Sequence, residues 1–166
     1  MSSSLISFPP IFTLQLNATT RRRQLEFWSE YLSNNVGEFR VSCSSPLFEC
    51  EDIDRKLSDE FISKLFEYII DQGLGEPEAG GSAIFFYKRR IPEWADSVHA
   101  WAVKCGRLNS VESIFNICNG PDCLDETFYA MPEEIMRRVL RILEERGKCE
   151  LITVNSSDIT GVKFFP

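Results

Sequence analysis

Apolar residues recur every three or four positions from about Ala18 onward, a spacing that predicts a helix. The residues on its apolar face are Leu25, Phe27, Trp28, Tyr31 and Leu32. Gly37 is expected to end this helical region, because glycine accepts the backbone conformation that stops a helix. Residues 39–41 then alternate as a strand does, and residues 46–48 predict a second short extended piece.

A stronger helical pattern follows Ser58, which can cap a helix and precedes two acids suited to the positive end of the helix dipole. The apolar stripe of this helix consists of Phe61, Leu65, Phe66, Ile69 and Ile70. Gly73 should end it, the glycine-rich residues 75–82 predict a turn, and residues 83–87 predict a strand. Helix, strand, helices and a glycine hairpin follow one another in this order in a winged helix.

Three helix candidates and a closing β-hairpin follow the break at Pro92. The helices are predicted over residues 93–104, over residues 111–118 with Ser110 as the cap, and from Met131-Pro132 to Gly147. The hairpin is predicted from two extended runs, residues 149–154 and 161–165, which a polar turn at residues 155–158 joins. The second half therefore predicts the same kind of domain as the first.

The two halves also repeat residue by residue at one constant spacing along the chain. This spacing aligns Leu57 with Met131 and is called the repeat offset. The matching pairs are Phe61 with Ile135, Leu65 with Val139, Phe66 with Leu140, Ile69 with Leu143 and Gly73 with Gly147. A repeat of this size indicates two copies of one small domain. The predicted fold is α+β: an N-terminal arm (residues 1–12) and two tandem winged-helix domains (residues 13–91 and 92–166).

The arm carries a diproline between apolar residues, from Phe8 to Phe12. Proline lacks an N–H and favours an extended residue before it, so the arm is expected to be stiff and polyproline-like. Its apolar side chains need a surface, either on this chain or on a partner. A partner is favoured, because each half already has enough apolar residues for a core. Phe8 and Phe12 are the predicted pocket-filling residues.

The charge balance argues against a nucleic-acid or unaided membrane-surface protein, because the net charge is −7. In the first copy the helix after Ser58 has Lys64 as its only basic residue, and its wing has none. The third helix of the second copy mixes arginines with acids, which is typical of a solvated face or a polar protein–protein rim. A tandem winged-helix protein that binds nucleic acid stays open as the alternative function.

Residues for catalysis or metal binding are sparse. His99 is the only histidine and lies in an apolar stretch, and we identify no nucleophile elbow, phosphate loop or metal cluster. A zinc site of His99 with Cys118, Cys123 and Cys149 has no usual finger spacing. The amino terminus lacks the pattern of a signal peptide, and no apolar run is long enough to span a membrane. The sequence thus predicts a protein without catalysis or cofactors.

Several short blocks of sequence occur in series: Phe8-Pro9-Pro10-Ile11-Phe12-Thr13-Leu14-Gln15, Arg23-Gln24-Leu25, Ser45-Pro46-Leu47-Phe48, Arg55-Lys56-Leu57, Glu93-Trp94, Asn109-Ser110-Val111 and Gly161-Val162-Lys163-Phe164-Phe165. Taken together, these blocks resemble the smallest subunit of ESCRT-II, the vacuolar protein-sorting-associated protein 25 family. This resemblance implies two tandem winged helices and a non-catalytic adaptor. It implies a cytoplasmic hetero-oligomer, recruited peripherally to endosomal membranes, in which two copies dock on one copy each of two larger winged-helix subunits. The complex sorts ubiquitinated membrane proteins into multivesicular bodies.

The resemblance also implies where the partners bind. The arm and the first domain would contact the larger ESCRT-II subunits, with Phe8, Pro9, Pro10 and Phe12 as the docking residues. Arg89 and Arg90 are further candidates for that contact, or a solvated end of a strand. The second domain would engage a small ESCRT-III subunit, for which the candidates are Arg137, Arg138 and Arg141.

Overall fold

The chain forms two compact units, Met1–Lys88 and Arg89–Pro166, in a computed structural model that describes residues 6–154 and 158–166. Residues 1–5 of the predicted arm and residues 155–157 of the predicted polar turn lie outside the described residues. Each unit combines α-helices with a three-stranded antiparallel sheet. The fold is therefore a mixture of helix and sheet in both halves, as the α+β prediction states.

From residue 6 onward, where the structure describes it, the first unit has two long helices and a three-stranded sheet. Its main elements are α1 (Ala18–Asn35), β1 (Arg40–Ser42), α2 (Asp59–Asp71), β4 (Gly75–Pro77) and β5 (Ala83–Phe86), and the sheet has the order β1-β5-β4. A short two-stranded pair, β2 (Glu49–Cys50) and β3 (Arg55–Lys56), lies between β1 and α2 in the chain. The Ser58 hydroxyl accepts a hydrogen bond from the Phe61 N–H at 3.1 Å, so the predicted cap of α2 is confirmed.

The core of the first unit is centred on Trp28, which is fully buried. Its indole packs edge-on against three buried phenylalanine rings, with centroid distances of 5.3 Å to Phe12, 6.2 Å to Phe48 and 6.4 Å to Phe61. Such edge-to-face arrangements add roughly 0.5–1.5 kcal/mol per pair to the burial of apolar area. Phe12 therefore belongs to this core, although it precedes the first helix.

Within its described residues, the second unit has three helices and a three-stranded sheet. Its elements are α3 (Ile91–Lys104), β6 (Val111–Ser113), α4 (Ile114–Asn119), α5 (Glu133–Glu145), β7 (Cys149–Thr153) and β8 (Ile159–Phe164), and the sheet has the order β6-β8-β7. The ring of Trp101 on α3 packs edge-on against Phe128 and Phe164, at centroid distances of 6.1 and 6.3 Å. The buried face of α5 completes the core with Ile135, Val139, Leu140 and Leu143.

The internal repeat of the sequence is also present in the structure. Helices α2 and α5 begin and end at equivalent positions, since the repeat offset places Asp59 on Glu133 and Asp71 on Glu145. Strand β7 begins at Cys149, which is the equivalent of Gly75 at the start of β4. Both sheets place the last strand of the unit between the first strand and the strand after the long helix. The two units therefore share sheet topology and the order of their long helices and sheet strands. They differ between the first strand and the long helix, where the second unit has α4 and the first has 3₁₀ turns and the β2–β3 pair.

Three local predictions are wrong. Residues Pro9–Phe12 and Pro46–Phe48 are 3₁₀ turns where the sequence predicts extended chain. Proline at the start of such a turn causes no strain, because its missing N–H would have no partner there and its φ suits the turn. Residues 111–118 are not one helix, because Val111–Ser113 pairs with β8 and only then does α4 begin. The cap is accordingly Ser113, whose hydroxyl accepts from the Asn116 N–H at 3.1 Å.

Glycine is required where β4 and β5 approach each other. A Cβ on Gly75 would lie 2.6 Å from the carbonyl oxygen of Phe85, closer than real contacts allow. Because β4 uses residues 75–77 of the predicted glycine-rich turn, the turn itself is shorter, from Glu78 to Ser82. This hairpin lies beside α2 and forms one wall of a groove.

Candidate partner-binding surfaces

The N-terminal segment, defined here as residues 8–15, is held against α1 by two buried side chains. The Gln24 amide donates to the carbonyl oxygens of Pro10 at 3.1 Å and Thr13 at 2.8 Å, and its oxygen accepts from the Gln15 N–H at 3.0 Å. The Trp28 indole N–H donates to the Ile11 carbonyl at 3.0 Å. Because buried polar groups are costly unless they are paired, these bonds place the segment firmly on the helix.

Phe12 is only 5% exposed and contacts Trp28, so it contributes to the core of its own unit. This corrects two expectations, that the arm is extended and that neither core needs it. In this structure the Phe12 ring is unavailable as a pocket-filling residue for a partner. The reason is tertiary, since the hydrogen bonds from Gln24 and Trp28 turn the chain so that Phe12 faces inward.

Phe8 has the opposite environment, because its side chain is 54% exposed. Pro9 and Pro10 are exposed as well. Phe8 and Pro10 border a groove of about 360 Å³ whose opposite wall on α1 includes Phe27 and Arg23. The outward face of the segment is therefore apolar and preformed, which lowers the entropy cost of docking on another protein.

Arg89 is engaged within the second unit. Its guanidinium lies 4.5 Å from the centroid of the Trp94 ring and donates to the hydroxyls of Ser97 at 3.3 Å and Thr127 at 3.4 Å. Arg90 is exposed at the start of α3, where its N–H donates to the Glu93 carboxylate at 3.1 Å. Both arginines thus belong to the unit that begins at Arg89, which corrects their placement at the end of the first domain.

The three arginines proposed for the second domain all lie on α5 but in different settings. Arg137 is half-buried and pairs with Glu133 one turn earlier at 3.6 Å. Arg138 and Arg141 are exposed. Arg141 lines a groove of about 430 Å³ between α5 and the β7–β8 hairpin, together with Glu144 and Glu145. The mixed charges make this surface polar, as the sequence predicts.

The buried thiols are packed as core side chains. Burial raises the pKa of the Cys118 and Cys149 thiols to about 12 and that of Cys123 to about 11, from an ordinary value of 9.0. The His99 Nε2 lies 2.8 Å from the carbonyl oxygen of Phe165. Within residues 6–154 and 158–166, no three His, Cys, Asp or Glu side chains are grouped as a metal site would need. Over the same described ranges, no helix has the length and hydropathy to cross a membrane.

The sequence did not predict that Gln24 and Trp28 hold the N-terminal segment on α1. A signal existed, because Gln24 is a polar residue one turn before Trp28 on the helical pattern. A glutamine on the buried face of a helix must pair its amide with other groups of the protein, because buried polar groups are hydrogen-bonded.

Comparison with known proteins gives the family. The family model described as ESCRT-II complex subunit matches residues 5–132. Vacuolar protein-sorting-associated protein 25 of Drosophila melanogaster is 34% identical, covering 96% of this chain and 94% of its own. The human protein of that name is 35% identical, covering 95% and 93%. The chain therefore belongs to the ESCRT-II complex subunit family, as its resemblance implied.

Solved structures give the same fold. The crystal structure of subunit VPS25 of the endosomal trafficking complex ESCRT-II matches with a TM-score of 0.84 at 24% identity, covering 96% of each chain. A chain in the crystal structure of the endosomal complex ESCRT-II (VPS22/VPS25/VPS36) matches with a TM-score of 0.82 at 24% identity, covering 96% of this chain and 97% of that one.

Proposed function

We propose that this chain is a non-catalytic adaptor subunit of ESCRT-II and that each of its two units is a winged helix. The shared order of long helices and sheet strands, together with the three-stranded sheet of each unit, supports the winged-helix assignment. The similarity to vacuolar protein-sorting-associated protein 25 over nearly the full chain supports the role in the complex. The rival function, nucleic-acid binding, is disfavoured by the acidic balance of the chain and by its family.

The partners in this proposal are two larger subunits of the VPS22 and VPS36 kind, named in the matching ESCRT-II complex. The observation that carries the docking proposal is the exposed Phe8-Pro9-Pro10 surface, which Gln24 and Trp28 hold in place. An apolar surface of this kind, rigid before binding, is typical of a docking anchor. Two copies of this chain would each present it to one larger subunit.

The second unit would engage a small ESCRT-III subunit. The exposed Arg138 and Arg141 support a contact with an acidic partner surface, and the half-buried Arg137 would act beside them. Rim charges of this kind influence the association rate and its salt dependence more than they influence affinity. The chain would work in the cytoplasm, recruited to endosomal membranes with the complex, in the sorting of ubiquitinated proteins into multivesicular bodies.

The experiment is co-expression of the full chain with the two larger subunits, followed by affinity purification through one of them. The double variant Phe8→Ala, Pro10→Ala should reduce recovery of this chain at least about tenfold, an effect within the usual range for buried aromatic anchors. Phe115→Ala is the matched control, since Phe115 has a similar exposure of 62% but lies in the second unit. Normal recovery of the double variant would refute docking through the segment.

A further inference from the structure

An apolar groove in the first unit is not used by the N-terminal segment. It has a volume of about 420 Å³ and lies between α2 and the β4–β5 hairpin. Ile62, Phe66 and Ile70 form its helical wall, spaced one turn apart along α2, and Pro77 lies on the hairpin side. It shares no lining residue with the groove beside Phe8. The first unit therefore presents two separate apolar surfaces.

The internal repeat provides a comparison within the same chain. The repeat offset pairs Ile70 with Glu144 and Pro77 with Leu151, and both Glu144 and Leu151 line the corresponding groove of the second unit. There the Glu144 carboxylate accepts a hydrogen bond from the Leu151 N–H at 3.0 Å. In the first unit this bond is impossible, because isoleucine has no acceptor and proline has no N–H. The second groove is thus lined largely by polar side chains, while the first keeps a mainly apolar lining.

The charges around the first groove are acidic. Asp59 and Glu67 line it, and Glu67 is paired only loosely with Lys64, at 3.5 Å, with both side chains at least half exposed. Exposed pairs of this kind contribute little and are screened by salt, so Glu67 can exchange Lys64 for another cation. At the position equivalent to Glu67 the second unit has Arg141. The first groove therefore has only acidic charged side chains in its lining, whereas the second mixes Arg141 with Glu144 and Glu145.

We propose that the α2–hairpin groove of the first unit binds a basic amphipathic helix of a partner protein, by a contact separate from docking through the N-terminal segment. Apolar side chains one turn apart on the partner helix would enter the groove and pack against Phe66 and Ile70. Lys or Arg side chains flanking them would pair with Asp59 and Glu67. Helix-in-groove binding has this pattern of anchors, and complementary charge determines the choice of partner.

The test uses the full chain and a fluorescent helical peptide of about 15 residues, with Leu on one face and Lys on the others. A second peptide has Glu in place of every Lys. The Lys peptide should bind saturably and the Glu peptide should bind at least about tenfold more weakly, because two acids line the groove. Binding should also slow the alkylation of Cys43, which lines the groove and is exposed, without slowing that of Cys105 in the second unit.

Variants locate the site. The pair Glu67→Arg, Ile70→Glu gives the groove the residues of the second unit, and it should weaken binding of the Lys peptide at least about tenfold. Glu67→Arg alone changes an exposed side chain, so it tests the charge without disturbing the core. Glu150→Arg is the control, because it makes the same change of charge at an exposed position of β7 in the second unit.

Three outcomes would overturn the proposal. The first is equal binding of the Lys and Glu peptides, which would show that the charges around the groove do not select the partner. The second is that Glu67→Arg and Glu150→Arg weaken binding of the Lys peptide equally. That result would show that the peptide responds to the net charge of the chain and not to the groove. The third is a dimer of the full chain in light scattering that Ile70→Glu dissociates, which would make a second copy the occupant.

Discussion

Phe8 and Phe12 have the same side chain one helical turn apart in the chain, but the structure predicts opposite effects when each is shortened to alanine. Phe12 is 5% exposed and contacts the indole of Trp28 at a centroid distance of 5.3 Å. Removal of a buried phenylalanine ring costs about 3–5 kcal/mol, and we expect about 3 kcal/mol because the segment can partly collapse. For a unit of this size that corresponds to a fall in Tm of roughly 12 °C or more.

Phe8→Ala should change stability by no more than about 0.5 kcal/mol, because the Phe8 side chain is 54% exposed. The assay is hydrogen exchange of the full chain, read on peptides from α1 for the first unit. Peptides from α5 are the internal control, since α5 lies in the second unit. Phe12→Ala should accelerate exchange in α1 at least about a hundredfold and Phe8→Ala by less than about threefold, as those free energies imply. Equal, small effects of both variants would show that Phe12 is not a core residue.

Further predictions concern backbone, thiols and domain division. Gly75→Ala should destabilise the first unit by about 1–3 kcal/mol in chemical denaturation, because its Cβ would meet the Phe85 carbonyl, whereas Gly37→Ala should not, since nothing lies within 4 Å of that Cβ. Stability should fall as pH rises above about 9, because the unfolded chain loses the protons of the three buried thiols there while the folded chain holds them until about pH 11–12. Denaturation midpoints at pH 7 and pH 10 measure this, and equal midpoints would contradict it. A chain truncated after Lys88 should keep binding to the larger ESCRT-II subunits and lose binding to ESCRT-III, as measured by co-purification. Retention of ESCRT-III binding by the truncated chain would refute the assignment of the two partners to separate units.

The elements predicted from the sequence are those with strong local signals. Helices α2 and α5 each have an apolar stripe, acids in the first turn and a glycine stop with positive φ at Gly73 or Gly147. These signals depend only on neighbours in the chain, so they can be found in the sequence alone. The internal repeat supports the prediction of both helices, since the same signals recur together at the repeat offset.

The elements that were missed depend on contacts between distant residues. The diproline favours an extended chain by itself, but Gln24 and Trp28, which lie on the following helix, hydrogen-bond the segment into a turn. In the same way Val111–Ser113 is predicted as helix and becomes a strand because β8 pairs with it. Tertiary partners override local preference in both cases.

The candidate sites show the same division. Exposure of Phe8, Pro9 and Pro10 agrees with the sequence expectation of a surface for a partner, whereas the burial of Phe12 required the structure. The α2–hairpin groove needed the structure as well, because α2 and the hairpin form it together. The difference between the two units at this position is nevertheless contained in the sequence, because the repeat aligns Ile70 with Glu144.

The most direct test of the adaptor proposal is a calorimetric titration of the purified larger ESCRT-II subunits with this chain. The double variant Phe8→Ala, Pro10→Ala should raise Kd at least about tenfold, which corresponds to about 1.4 kcal/mol of binding free energy. Its midpoint of unfolding should stay within error of that of the unchanged chain. Phe115→Ala should leave both quantities unchanged. An unaltered Kd for the double variant would contradict docking through the exposed face of the N-terminal segment.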